Sequence, residues 1–175
     1  QIGRKWVMFI AGALFTISSL TLAFAGTVAI LITGRILSGI AIGMASTIVP
    51  LYISEVAPAK IRGTLIGCNQ LAFAIGMTTV YCVNAAIANL NSTAFNVSVG
   101  WRWMFGSGAI PAILFFVLTV IIPESPRFLF KQGKNDKAEA ILVKLNGTSN
   151  AQNEATEIKK SVQSEHKGLI RELFA

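Results

Sequence analysis

Four stretches, near residues 6–25, 28–53, 63–88 and 103–122, are apolar or small almost throughout, and each runs for twenty residues or more. A bilayer's hydrocarbon core is about 30 Å thick, which an α-helix of about 20 residues crosses. Inside lipid every backbone N–H and C=O must find its partner within the chain, so a run of this length can only be helical. The spacing therefore predicts an all-α integral membrane protein with four spanning helices. Composition agrees, with 53% hydrophobic and 13% charged residues, against about a quarter charged in ordinary soluble domains. The first run follows Arg4 and Lys5 much as a signal peptide would. It has no small-residue cleavage spacing, however, and three comparable runs follow it, so it reads as a span.

The basic residues sort by side. Arg4, Lys5, Lys60, Arg62 and the cations from Arg127 onward fall on one face of the membrane, Arg102 falls on the other, and Arg35 falls inside. The positive-inside rule makes the first group cytoplasmic, which puts both ends of the chain there and the protein in the cell membrane. The net charge of +7 does not indicate nucleic acid, because the cations sit at helix ends and in the tail and form no basic face with interleaved aromatics. Cys68 and Cys82 share one predicted helix fourteen positions apart, about 21 Å along its axis, too far to pair. The single histidine, His166, stands in a polar tail with no zinc spacing around it. No nucleophile with a base beside it, phosphate-cradling loop or pocketed carboxylate pair occurs, so neither an enzyme nor a cofactor is expected.

Between the spans, Pro50 and Pro58 are expected to bend or end the second helix and Pro111 to kink the fourth. The polar stretch 89–100, with sequons at Asn91 and Asn96, reads as a loop. From 131 to 175 the chain turns amphipathic. Asn135 or Asp136 can cap a helix with Ala138, Ile141, Leu142 and Leu145 on one face and Gly147 as its stop, a weaker helix covers about 154–164, and another begins near 169.

Four motifs then stand in a fixed order: Gly3-Arg4-Lys5, the stretch from Leu37-Ser38-Gly39 through Tyr52 and Glu55 to Lys60, Arg62 and Gly63, Gly100-Trp101-Arg102, and Pro123-Glu124-Ser125-Pro126-Arg127. Their order and spacing resemble the sugar porters of the major facilitator superfamily, and Asn69-Gln70 with Tyr81-Cys82-Val83-Asn84 is similar to bacterial D-xylose:proton symporters and related hexose carriers. The resemblance implies a major facilitator fold of which this chain is a part. Residues 1–130 would be transmembrane helices three to six of the N-terminal half. Residues 131–175 would be cytoplasmic helices leading to a C-terminal half that lies elsewhere, as do helices one and two. The partners implied are a monosaccharide, xylose or a hexose such as glucose, the bilayer, and those remaining helices; the coupling ion implied is the proton. A sugar uniporter, or a sugar sensor or membrane scaffold of the same fold, is the alternative.

Individual residues carry this expectation. Arg35 is a charge within the apolar region, costing at least about 2.5 to 3.5 kcal/mol on insertion scales, so it must pair, face water or snorkel to the outer headgroups. The resemblance implies pairing with an aspartate on the first helix and a part in proton coupling or gating. Gln70 is an amide that both donates and accepts, which suits sugar hydroxyls without the desolvation cost of a charge. The family's matching glutamine binds sugar; bridging two helices is the other use of such an amide. Met77 stands on the same helix face two turns later, where the nearest xylose carriers have a second glutamine, and is read as packing or as apolar contact with a hexose. Phe73, between them, is a further cavity candidate. Arg4, Glu55, Arg62, Glu124 and Arg127 form a cytoplasmic charge network expected to close that side in the outward-facing state, Glu55 and Arg62 foremost. No metal site is expected.

Overall fold

A computed structural model describes residues 3–58 and 60–146, together with 155, 156 and 158. The described residues form four long helices of membrane-crossing length and apolarity and two shorter ones. They are α1 (Arg4–Ala23), α2 (Val28–Val56), α3 (Arg62–Leu90), α4 (Thr93–Ile121), α5 (Pro126–Lys131) and α6 (Asn135–Asn146). The all-helical fold class expected from the four apolar runs is what the described residues adopt. The expected helices near 154–164 and beyond 169, and the stop at Gly147, lie outside the described residues apart from the three named.

α1 is the hub, because its small residues let two neighbours approach. Met8, Ala11, Gly12, Ser18, Ser19 and Leu22 are buried on it, more than on any other span. A Cβ on Gly12 would stand 3.1 Å from the Phe116 backbone of α4, and one on Gly34 of α2 would stand 2.8 Å from the Leu22 side chain. Phe9 and Phe116 lean together across the α1–α4 contact with ring centroids 4.7 Å apart. The buried Ser18 hydroxyl donates to the Gly34 carbonyl at 3.0 Å, joining α1 to α2 at the close approach. In a membrane, where apolar area gives no drive for one helix to leave lipid for another, small residues and such cross-helix bonds carry the packing.

α1 runs antiparallel to α4 and is clasped by it at both ends. At the end rich in basic residues, called here the basic end, the Lys5 ammonium donates to the Val120 carbonyl at 2.8 Å. At the far end Arg102 donates from Nε and Nη2 to the carbonyl of buried Ala25, at 3.1 and 3.0 Å, and stacks its guanidinium on Trp101. Lys5 is thus more than a solvated anchor. Lys5 satisfies a carbonyl that the last turn of α4 leaves without an intrahelical donor, and Arg102 one in the turn just after α1.

One expectation is corrected, that of a loop over 89–100. The second helix continues through Pro50 to Val56 and is ended by the segment at Pro58, whose carbonyl accepts from the amides of Ile61 and Arg62 to start α3. The stretch 89–100 is not a loop: α3 runs to Leu90 and α4 begins at Thr93, capped by the Ser92 hydroxyl on the Phe95 amide, with a π-helical turn over Asn96–Gly100. Polar side chains there bond locally instead of marking irregular chain. Asn96 donates to the Ala88 carbonyl at 2.8 Å, and Ser98 to that of Ala94 at 2.9 Å. The break in α4 falls at Gly108, between helical segments Trp101–Ser107 and Ala109–Ile121. Pro111 lies one turn beyond and has no N–H to return to the preceding turn, which is the cause of the break.

Beyond the membrane region α5 is capped by Ser125, whose hydroxyl accepts from the Phe128 amide, and closes at Gly133 with φ 75°. The Lys134 amide returns to the Leu129 carbonyl and the Gly133 amide to that of Phe130. That left-handed pair of bonds needs glycine at its turning residue. α6 folds back so that Ala138 and Leu142 bury against Leu129 and Phe130.

Candidate functional site

Two places gather the residues singled out by sequence. The first is a cavity of about 630 Å³ within the span bundle. α2 lines it with Ala41, Ala45 and Val49, α4 with Phe115, and α3 with Gln70 and Phe73. Alanines on α2 leave the room; a larger side chain at those turns would fill it. The wall is apolar apart from Ser46, Asn69 and Gln70, the arrangement of a small-molecule site in which a few polar groups orient an otherwise apolar-lined ligand. Met77 is not part of the lining and stands 53% exposed on α3.

Arg35 lies apart from that lining. Its guanidinium sits 5.7 Å from the ring centroid of Phe105 on α4, a cation–π contact. That ring is a partner sequence reasoning did not name.

The second place is the charge cluster at the basic end. Arg4, in the first turn of α1, donates from Nε and Nη2 to both oxygens of Glu55 at 2.9 to 3.2 Å. The Glu55 side chain is 5% exposed and that of Arg4 is 21% exposed, so this fork-shaped ion pair is shielded from water and stronger than a surface pair. The hydroxyl of wholly buried Ser125 donates a short bond to the same Glu55 carboxylate. Three elements are thereby tied at one group: the start of α1, the end of α2 and the cap of α5. Arg4 also lies over the Phe128 ring at 5.5 Å.

Glu124 accepts from the Lys5 and Ser125 backbone amides, both at 3.0 Å. Its carboxylate and the Phe128 ring close directly over Gly3, where any Cβ would collide with Glu124. The Tyr52 hydroxyl donates to the Pro123 carbonyl at 2.9 Å, a second strap from α2 to the segment before α5. Arg62 stands away from the acids and donates to the Ala57 carbonyl at 3.3 Å, capping the end of α2. Arg127 is half-buried on α5. Of the five charges grouped by sequence, then, Arg4 and Glu55 meet directly, Glu124 joins them through Ser125, and Arg62 serves a backbone. Ser125, Gly3 and Tyr52 were not foreseen as members. Each stood within one of the ordered motifs, Gly3 before Arg4, Tyr52 before Glu55 and Ser125 between two prolines, without a sign that they meet.

Helices of spanning length, an apolar cavity holding an amide, and a charge cluster binding the first and second spans to the segment after the fourth define a helical membrane protein with a ligand-sized cavity. The model of the family "Sugar (and other) transporter" matches residues 1–175, and the chain belongs to that family. It is 37% identical to the arabinose-proton symporter of Bacillus subtilis (strain 168) over 99% of this chain and 38% of that protein. It is 40% identical to the D-xylose-proton symporter of Escherichia coli (strain K12) over 93% of this chain and 37% of that protein. A solved structure of the proton:xylose symporter XylE bound to 6-bromo-6-deoxy-D-glucose superposes with a TM-score of 0.89 at 40% identity, over 94% of this chain and 38% of the other. The chain thus spans somewhat over a third of the length of these relatives. It is an integral membrane protein with part of the major facilitator fold.

Proposed function

We propose that this chain is part of a carrier that moves a monosaccharide, xylose or a hexose, across the cell membrane by alternating access, driven by protons. The observation that carries the reading is the Gln70 amide beside the Phe73 ring in the 630 Å³ cavity. A cavity of that size holds a sugar ring, the amide can donate to one hydroxyl and accept from another, and the aromatic face covers the C–H side. Arg35 supplies the coupling charge, held on Phe105. The basic end faces the cytoplasm, residues 1–130 form spans three to six, and the tail joins the second half. The Arg4–Glu55–Ser125 cluster, with Glu124, Arg62 and Arg127, latches that side and must loosen as the carrier opens inward.

The test is uptake of labelled xylose and glucose by the full-length carrier in proteoliposomes, with and without an inward proton gradient. Gradient-driven accumulation is expected, falling at least tenfold in Gln70→Ala, with Arg35→Leu retaining exchange but losing accumulation; tenfold is about 1.4 kcal/mol, the order of one to two lost sugar hydrogen bonds. Exchange without accumulation in the parent protein would make it a uniporter. Absence of flux with sugar binding retained would make it a sensor.

A further inference from the structure

A second cavity, of about 750 Å³, opens on the flank of α1 and α4 at the basic end and shares Gly3 and Glu124 with the charge cluster. One part of its wall is apolar and continuous with the membrane-crossing surface: Trp6 and Phe9 of α1 and Val120 of α4. Trp6 is 60% exposed, stands edge-on to Phe9 at 5.7 Å, and its indole N–H has no hydrogen-bond partner among the described residues. An exposed tryptophan at a span's first turn is at the depth of lipid headgroups.

The other part is polar and carries Lys5, Gln132 and Lys134. The Lys5 ammonium spends one N–H on the Val120 carbonyl at 2.8 Å, and that of Lys134 spends one on Gln132 Oε1 at 2.9 Å. An ammonium has three N–H groups, so each lysine keeps two to offer. The Lys134 backbone is fixed by its bond to the Leu129 carbonyl, which holds that lysine at the cavity rim. Glu124 also lines the cavity, but its Oε1 accepts two backbone amides. Neither lysine is paired with a carboxylate among the described residues, so two ammonium groups face one engaged acid and the floor is net positive.

We propose that this groove binds an anionic phospholipid, with its phosphodiester between Lys5 and Lys134 and an acyl chain along Trp6, Phe9 and Val120. A free phosphate would answer the lysines and leave the apolar wall unused; an acyl chain alone would leave the ammonium groups unused. Only an amphiphile with a negative head matches both halves in this order from the membrane outward. The site is independent of the sugar cavity, which lies on the opposite side of α1 from Trp6.

The test uses the full-length carrier in detergent, titrated separately with phosphatidylglycerol and phosphatidylcholine, with bound lipid counted by native mass spectrometry. A basic side chain near a membrane surface favours anionic lipid about fivefold, so phosphatidylglycerol is expected to bind about thirtyfold more tightly through two lysines. Lys134→Gln, at an exposed position where folding is not at stake, lowers that preference about fivefold, and Lys5→Gln with Lys134→Gln abolishes it. Trp6→Ala weakens both lipids alike, and Lys60→Gln, outside the groove, changes neither. Equal retention of the two lipids overturns the proposal. So does a Lys60→Gln effect as large as that of Lys134→Gln, which means diffuse attraction, or a Trp6→Ala protein that binds both lipids as before, which leaves a patch for free phosphate or an acidic protein segment.

Discussion

Glu55 sits where a carboxylate would be costly if left alone, 5% exposed at the end of a membrane helix, and a guanidinium fork and a hydroxyl hold it there. Glu55→Gln keeps an acceptor but strands Arg4, and should cost about 1 to 3 kcal/mol, read as a lower thermal unfolding midpoint of the full-length carrier in detergent. Ser125→Ala removes both a donor to Glu55 and the cap of α5, for about 1 kcal/mol. Because the two share one network, the double substitution should cost less than the sum; strict additivity would show that the bonds act separately. Gly3→Ala forces the Glu124 carboxylate off two backbone amides, and a loss of about 1 to 3 kcal/mol is expected. An unchanged melting curve would contradict the crowding at Gly3. Arg4, Glu55 and Glu124 were legible as a group from motif order, but not as pairs. Arg4 and Glu55 are separated by 51 positions, and spacing within a helix says nothing about which helix ends meet.

Among the elements, α1 has the tightest requirements. Gly12→Val adds two further carbons where even a Cβ would stand 3.1 Å from the α4 backbone. It should push α4 away and lower stability by about 1 to 3 kcal/mol, measured beside Gly39→Val on α2, where a Cβ meets nothing within 4 Å and little change is expected. Equal effects would mean that helix propensity, not contact, is being measured. The four spans were readable because an apolar run about 20 residues long has one structural solution in lipid. The start of α4 was not, since Ser92, Asn96 and Ser98 look like loop residues until their side chains are seen to serve local backbone groups, the competition between side chain and backbone that makes such residues ambiguous. The cavity was half legible. Gln70 and Phe73 were named, whereas the alanines of α2 that make its volume carry no signal that separates a hollow from ordinary close packing.

At the scale of the whole molecule the packing is uneven. α1 buries its small face on two neighbours, while α3 has no buried residue and touches α2 and the outer part of α4 only lightly. Residues 1–175 expressed alone in detergent should therefore be polydisperse, with α3 the first segment cut by a protease. A monodisperse monomer melting in one cooperative step would contradict this. The clasp of α1 by α4 also has a meaning in time. Lys5 precedes its acceptor by 115 positions and Ala25 precedes its donor by 77. A ribosome adds about 5–20 residues per second, so the Lys5 partner follows roughly 6 to 23 s later and the Ala25 donor roughly 4 to 15 s later. During that interval α1 rests in the bilayer with both ends open to water or to the insertion machinery. Order of synthesis thus makes α1 a waiting template, and the arrival of α4 is the event that completes it.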